Sequence, residues 1–409
     1  MEQLDSNPRG RKGGIMARIY LDHAATTPPD PRVLEAMWPV YTQTWGNPSS
    51  IYLEGQEARR VLDEARKTCA DLLGASTREI LFTSGGTESD NAAIRGAAAA
   101  ARERGRGHHI VTTQIEHHAV LHAVEQLERE GYRATYLPVD SDGVVSLAAL
   151  EEAVGPETTV VSIMTANNEV GTIQPIAEAV RVAKAKNPKV VFHTDAVQAA
   201  GAIDISPKIT GVDLLSVAAH KLYGPKGVGL LYVRARTPWQ AMMLGGSQEK
   251  ERRAGTENVA GIAGLAAAMK LAWAESDERN AHSRALRDRL LYELPERIPD
   301  TVVTGPADPA ARLSNNFSCC FRGVEGESVL LALDLSDIAA SSGSACTTGS
   351  LEPSHVLTAM GVDADLAHAS LRLTVGAENT DEQITRVLDV LPGIVGRLRA
   401  LAGSQAGGD

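Results

Sequence analysis

The chain reads as an α/β protein, a mostly parallel sheet with helices on both faces followed by a smaller α+β domain, and three observations point there. From about Pro31 to Trp273 short apolar runs alternate with amphipathic stretches, the signature of repeated βα units. Hydrophobic residues make up 43% but aromatics only 4%, so Ala, Val, Leu and Ile must fill the core, as in a helix-covered sheet rather than a sandwich. At 409 residues the chain exceeds one domain of usual size.

Met1 to Ile15 is rich in Gly, Arg and Lys without periodicity, which predicts a disordered leader over 1–16, with Met16 a second candidate start. Strands are expected at Glu79–Thr83, His109–Thr113, Thr159–Ile163, Lys189–Phe192, Asp213–Val217 and Val228–Val233. Between them Ala58–Leu73, Ala119–Glu130 and Ile176–Lys184 read as helices. A long helical stretch, Leu265 to Leu294, turns charged in its second half, and the domain boundary is expected near residue 275. The expected division is a large α/β domain over 30–275 and a small α+β domain from 17–29 and 276–402. The small domain carries the loop 341–350, and 403–409 reads as a disordered tail. No repeat of fixed period is present.

Forty Lys and Arg against 51 Asp and Glu give a formal net charge of −11, and no long basic block could follow a phosphate backbone, so direct nucleic-acid binding is not expected. No run approaches the roughly 20 apolar residues of a membrane span, and the leader is polar rather than a signal sequence; a cytoplasmic protein is expected. The four cysteines, Cys69, Cys319, Cys320 and Cys346, form neither a secreted disulfide framework nor a C-x-x-C zinc pair. Alternation in Asn316–Phe321 predicts a strand with one vicinal cysteine toward the core and the other facing out.

Cys346 stands apart. It sits in Ser341-Ser-Gly-Ser-Ala-Cys-Thr-Thr-Gly-Ser350, a run too small to bury a thiol, which suits a mobile loop that delivers chemistry over a distance. The bland alternative is a small residue among small residues.

Three further clusters each follow an expected strand, where ligands of such sheets bind. Ser84-Gly-Gly-Thr-Glu-Ser89 opens a helix, and its glycines let backbone N–H groups approach an anion, although a simple tight turn reads the same way. Asp195 emerges as a strand ends, with Gln198 on its face if a helical turn begins there; the competing reading is a helix N-cap. Lys221 ends a buried apolar strand, where desolvation disfavours the cation and leaves an amine suited to a Schiff base.

A lysine for an aldehyde, an aspartate for a pyridinium nitrogen and a Gly-Thr turn for a phosphate are the needs of pyridoxal 5′-phosphate, PLP. At these residues the chain resembles the cysteine desulfurases of the NifS/IscS type, class V of the fold-type I PLP-dependent enzymes, over roughly Ile19 to Leu391. The resemblance rests on Tyr20–Pro28, Gly86-Thr-Glu-Ser-Asp-Asn91, Glu116-His-His-Ala-Val120, Ala166-Asn-Asn-Glu-Val-Gly171, His220-Lys221, Arg253-Ala-Gly-Thr256 and the Cys346 loop.

The resemblance implies that Lys221 binds PLP covalently and later moves the substrate Cα proton. It implies that Asp195 pairs with the ring nitrogen, that Gln198 and Asn168 bond the ring hydroxyl side, and that His117 stacks on the ring and assists proton transfer. Gly86, Thr87 and His220 match phosphate-binding positions, and Thr256 matches one that reaches the phosphate of the other subunit, which implies a homodimer. Arg372 matches the arginine that clamps the substrate carboxylate, a bidentate task that lysine does poorly. Cys346 would take sulfur from L-cysteine as a persulfide, leaving L-alanine, and pass it to an iron–sulfur scaffold or another thiol acceptor such as a tRNA-thiolation protein.

One position departs from the family. A serine often stands two residues before the motif histidine, and here Ala218 does, so one phosphate hydrogen bond, worth about 0.5–1.5 kcal/mol, is expected to be absent. Two other readings compete with the desulfurase: a related PLP enzyme that does not use Cys346, such as a selenocysteine lyase or an aminotransferase, and a non-catalytic partner that keeps the fold as an assembly surface. His118 and His122, four apart on an expected helix, have a metal-compatible spacing, but there is no His-Glu-x-x-His and no metal is expected.

Overall fold

The computed structural model describes residues 18–343 and 352–406. Its strands are β1 (Ile19–Tyr20), β2 (Ile80–Thr83), β3 (His109–Thr113), β4 (Arg133–Leu137), β5 (Thr158–Ser162), β6 (Val191–Asp195), β7 (Leu214–Ala218), β8 (Gly229–Val233), β9 (Thr301–Val303), β10 (Asn316–Phe321), β11 (Ile338–Ala339) and β12 (Ser370–Thr374). Seven of them form one sheet in the order β2-β8-β7-β6-β5-β3-β4. β7, β6, β5, β3 and β4 run parallel, while β8 is antiparallel to β7 and β2 on either side. The reversal follows from chain length: a parallel return needs a crossover of about a dozen residues or more, usually a helix, and 219–228 supplies only a short turn.

Successive residues along each central strand divide between two cores. Val161, Leu215 and Leu230 join the cluster under the helices Leu53–Leu73, Ile176–Lys186 and Val259–Ala274, whereas Val160, Leu214 and Leu231 join the one under Gly86–Glu103 and His118–Arg129. This is the period of two expected of strands buried on both faces. Sequence pattern missed β4, because Arg-Ala-Thr-Tyr-Leu is an edge strand paired only to β3, half-exposed and without an apolar run.

The expected single helix across 265–294 is two, Val259–Ala274 and Ser276–Arg297, meeting at Glu275. Glu275 is held by Arg32 and by Arg279. The first helix is nearly all small apolar residues and buries itself against the large sheet; the second sends Leu286, Leu290 and Leu294 into a separate core around β10 and β12. There β12-β10-β9 form an antiparallel sheet, and β1 pairs in parallel with β11. Ile19 and Leu21 insert into this second core.

Two expectations need correction. Cys319 and Cys320 are both fully buried, not one in and one out: Cys319 faces the small core, and Cys320 meets Ile115, Met164, Val356 and Leu357, which cover the outer face of β10. The tail expected from 403 is helical to Ala406, because the helix Asp381–Ala406 continues its backbone ladder through Gly403 despite glycine's weak propensity. The leader 1–16 lies outside the described residues, as does most of the 341–350 loop. Among the described residues no helix is long and apolar enough to cross a membrane.

Candidate active site

The carboxyl ends of the parallel strands open on one cavity of about 330 Å3, lined by Gly86, Thr87, His117, Asn168, Asp195, Gln198, His220, Lys221 and Arg372. They arrive from six places along the chain: after β2, β3, β5 and β7 and at the end of β6 or just past it in the large sheet, and from β12 in the small one. Thr256 lies elsewhere, exposed on the loop before the helix Val259–Ala274. Cys346 lies outside the described residues. A wider cleft of about 980 Å3 beside Gly201 and Arg284 contains none of the expected residues.

One end of the cavity suits an anion. Gly85 (φ 151°) turns the chain into the helix Gly86–Glu103 with no side chain capping its first N–H groups, which therefore remain available to a ligand. A Cβ at Gly86 would stand 2.9 Å from Val197 Cγ2, so only glycine lets the backbone come this close. Glu88 accepts the Ser84 N–H at 2.7 Å and pairs with Arg253 at 2.9 Å, which fixes the turn without occupying it. His220 bonds Thr26 Oγ1 at 3.2 Å, and burial, with the Lys221 and Lys226 cations, pushes its pKa down to about 4. Ala218 lines the same wall without a hydroxyl.

The other end carries the charges. Burial raises Asp195 to a pKa of about 6, opposed by the Val197 N–H, which it accepts at 2.8 Å, and by the Lys221 cation. Lys221 Nζ donates to the carbonyls of Ala24 and Ala25 at 2.6 and 2.7 Å, and Gln198 Nε2 donates to Ala24 at 2.9 Å. The Tyr20–Pro28 stretch thus holds the lysine from a distant part of the chain.

His117 caps its own helix: Nδ1 accepts the Ala119 N–H at 3.1 Å, and burial followed by the Lys221 charge lowers its pKa to about 4. The ring is neutral at neutral pH and carries its proton on Nε2. Arg372 donates to Asn168 O at 2.9 Å and to Asp22 Oδ1 at 2.7 Å, while its buried Nε has no partner among the described residues.

Several site residues escaped the sequence reading. Glu169, in the quoted Ala166–Gly171 motif, accepts the Ser354 hydroxyl, and a Cβ at Gly343 would overlap its carboxylate. Gly343 and Ser354 flank the segment 344–351 on either side, so Glu169 is where both flanks meet. His355 bonds Glu116 O at 3.0 Å and approaches His118, which stacks on His122. Among the described residues no group of three His, Cys, Asp or Glu is arranged to hold a metal ion. No local pattern signals His355 or Ser354; only the return of the chain past β11 brings His355 to the cavity and Ser354 to Glu169.

Glu116 is fully buried, accepts from Thr113 Oγ1 at 2.8 Å and Met164 N at 2.9 Å, and leaves Oε2 without a partner among the described residues; burial pushes its carboxyl up to about 8. The unfolded carboxyl titrates near 4.3, so the folded chain holds the extra proton between the two values, and that stabilisation is lost as pH rises through about 8. Glu116→Gln removes this titration. Denaturant unfolding at about pH 5 and about pH 9 is expected to show a loss for the parent that is larger than the variant's by on the order of 2–4 kcal/mol. Equal losses would contradict the neutral, buried acid.

An uncapped helix N-terminus for a phosphate, a lysine for an aldehyde, a buried aspartate for a ring nitrogen and an arginine with an unpartnered buried Nε for a carboxylate fit PLP and an amino-acid substrate. Fold and cavity define a fold-type I PLP-dependent enzyme. The Aminotransferase class-V family matches residues 19–387. The cysteine desulfurase IscS of Methanosarcina thermophila is 51% identical over 94% of this chain and 93% of its own length. The IscS of Clostridium botulinum is 48% identical over 94% of this chain and 96% of its own. A solved NifS-like protein superposes with a TM-score of 0.87 at 39% identity, covering 93% of this chain and all of the other. The chain belongs to the cysteine desulfurases, a PLP-dependent family of class V.

Proposed function

We propose that this protein converts L-cysteine to L-alanine and takes the sulfur onto Cys346 as a persulfide for delivery to an iron–sulfur scaffold or another thiol acceptor. The observation that carries this reading is the convergence of Lys221, Asp195 and Arg372 on one cavity that Gly343, three residues before Cys346, also lines. Three residues span at most about 10 Å, so chain length alone keeps the thiol within reach of the cavity.

PLP bound there supplies the electron sink that makes the substrate Cα proton acidic. Arg372 binds the substrate carboxylate and sets which Cα bond faces Lys221, whose freed amine takes the Cα proton. Asp195 holds negative charge beneath the cavity. His117 offers a flat ring and an Nε2–H donor, so its neutral form orients the substrate rather than deprotonating a thiol. In the sulfur step Cys346 thiolate attacks the substrate sulfur: an S–S bond forms, the Cβ–S bond breaks, and its electron pair returns to the carbon skeleton, which is protonated at Cβ to give alanine.

Purified holoprotein given L-cysteine and a reductant is expected to release alanine and sulfide in equal amounts. Without reductant the Cys346 peptide is expected to carry one extra sulfur. Alanine without that persulfide would instead place the protein among relatives that do not use the cysteine, and no alanine at all would sink the reading.

Arg372→Lys keeps the charge but loses the two-pronged geometry that now engages Asn168 O and Asp22. The KM for L-cysteine is expected to rise by roughly 10²-fold with kcat changed less than about tenfold, the loss of one bidentate pair. Steady-state kinetics decides, and a fall in kcat at constant KM would remove Arg372 from the carboxylate site.

The homodimer has support in exposed apolar side chains. Trp38, Trp45, Ile51 and Leu53 are 66%, 70%, 89% and 66% exposed, and Leu244 is 82% exposed. The Leu244 segment is tied to the Thr256 loop by the bond from Ala254 N to Met243 O at 3.1 Å. Apolar area of this kind marks a surface that another subunit covers, and it lies next to the residue expected to serve the neighbour's phosphate. The division into 30–275 and 17–29 with 276–402 is supported by the separate cores. A cytoplasmic setting is supported by the buried free thiols Cys69, Cys319 and Cys320.

A further inference from the structure

The acids beneath the cavity are unequally furnished. Asp90 and Asp195 both line it and are both buried, and each lies within electrostatic reach of the other. Asp195 has a backbone N–H on Oδ1 and the Lys221 cation to favour its ionised form. Asp90, on the helix Gly86–Glu103, has the Ser216 hydroxyl beside it, and its Oδ1 is buried with no hydrogen-bond partner among the described residues.

The nearest candidate cation gives no help. His193 Nε2 stands 3.6 Å from Asp90 Oδ1, beyond a good hydrogen bond. The His193 ring is fully buried between two hydroxyls, with Nδ1 2.8 Å from Ser162 Oγ and Nε2 3.0 Å from Ser216 Oγ. Burial alone drives its pKa down to about 3, so it is neutral. Strand register sets Asp195 opposite Ser216, which places that one serine next to both acids. The ionisable groups that face the pair are His193 on β6, Glu116 after β3 and Lys221 after β7; of these only Lys221 is a cation, and it acts on Asp195. Two buried carboxylates with one cation between them carry one charge, and the member with more donors keeps it.

We propose that Asp90 is the neutral, protonated member of this buried acid pair, held by Ser216 against the His193 ring, and that its neutrality reserves for Asp195 the negative charge facing the cofactor's ring nitrogen. The inference rests on the role given to Asp195 above. Asp90 is a positioning residue, because it acts through Asp195. The Gly86–Asn91 turn then serves both ends of the cavity, its first residues presenting N–H groups to the phosphate and its fifth setting the charge under the ring.

The first test needs no cofactor. Infrared difference spectra of the full-length apoprotein, parent minus Asp90→Asn at neutral pH, are expected to show loss of a protonated-carboxyl C=O band; loss of a carboxylate band instead overturns the proposal. In holoprotein loaded with PLP labelled with 15N in its ring, the parent and Asp90→Asn are expected to share one nitrogen shift at neutral pH. On raising the pH the parent gains a second anion as Asp90 loses its proton, so its ring nitrogen should stay protonated to a pH higher than the variant's by on the order of one unit.

A drop in ring protonation already present in Asp90→Asn at neutral pH would show that Asp90 is an anion and end the inference. Should Asp90→Asn fail to fold, Ser216→Ala serves: the acid band is expected to persist and shift, and an unshifted band removes Ser216 from the arrangement and overturns the proposal. If the protein does not take up PLP, the functional reading fails, while the infrared result still decides the state of Asp90.

Discussion

Lys221→Ala is expected to lower L-cysteine turnover by roughly 10³–10⁴-fold, the span of a lost general base, and to leave a folded protein that holds PLP without a covalent bond. The substitution deprives the Ala24 and Ala25 carbonyls of their shared donor. Because Lys221 is only half-buried and water can replace it at the two carbonyls, the cost to stability is on the order of 2 kcal/mol, so the fold survives and the activity does not. Borohydride reduction of the parent should fix PLP on the peptide containing Lys221. Labelling of Lys226 instead would refute the assignment. Lys226 is exposed and outside the cavity, so the two outcomes separate cleanly.

Cys346→Ser is expected to abolish the enzyme persulfide and to lower sulfide release by roughly 10³-fold or more, since a hydroxyl is hardly ionised where a free thiol is a few per cent thiolate. The other thiols offer no rescue. Cys69, Cys319 and Cys320 are buried, and burial pushes the thiols of Cys69 and Cys320 up to about 12 and that of Cys319 well above its ordinary value. Cysteine binding should survive, because Arg372, Asn168 and Lys221 are untouched, and substrate-induced changes in the cofactor absorbance would report it. Sulfide release at the parental rate would end the persulfide mechanism.

The legible part of the site was local. Gly85 and Gly86 announced an open helix terminus because only glycine tolerates that turn and that approach to Val197. Asp195 and Lys221 stood out because each charge falls where a buried strand ends, and both proved to line the cavity. His117 was legible as a residue and not as a chemical state. Its tautomer is set by the Ala119 N–H, and its neutrality by burial and Lys221, none of which a motif records.

The same division runs through the fold. The chain's own pattern determined an α/β protein with a buried sheet, a second core past residue 275 and a lysine–aspartate–glycine set at the strand ends, because side-chain period and turn chemistry act between near neighbours. Tertiary structure alone decided the covering of Cys320, the clasp of Glu169 on Ser354 and the isolation of Asp90 Oδ1. Each of these depends on which distant groups exclude water from a given atom and which of them can donate a hydrogen bond to it. Those quantities exist only once the chain has closed.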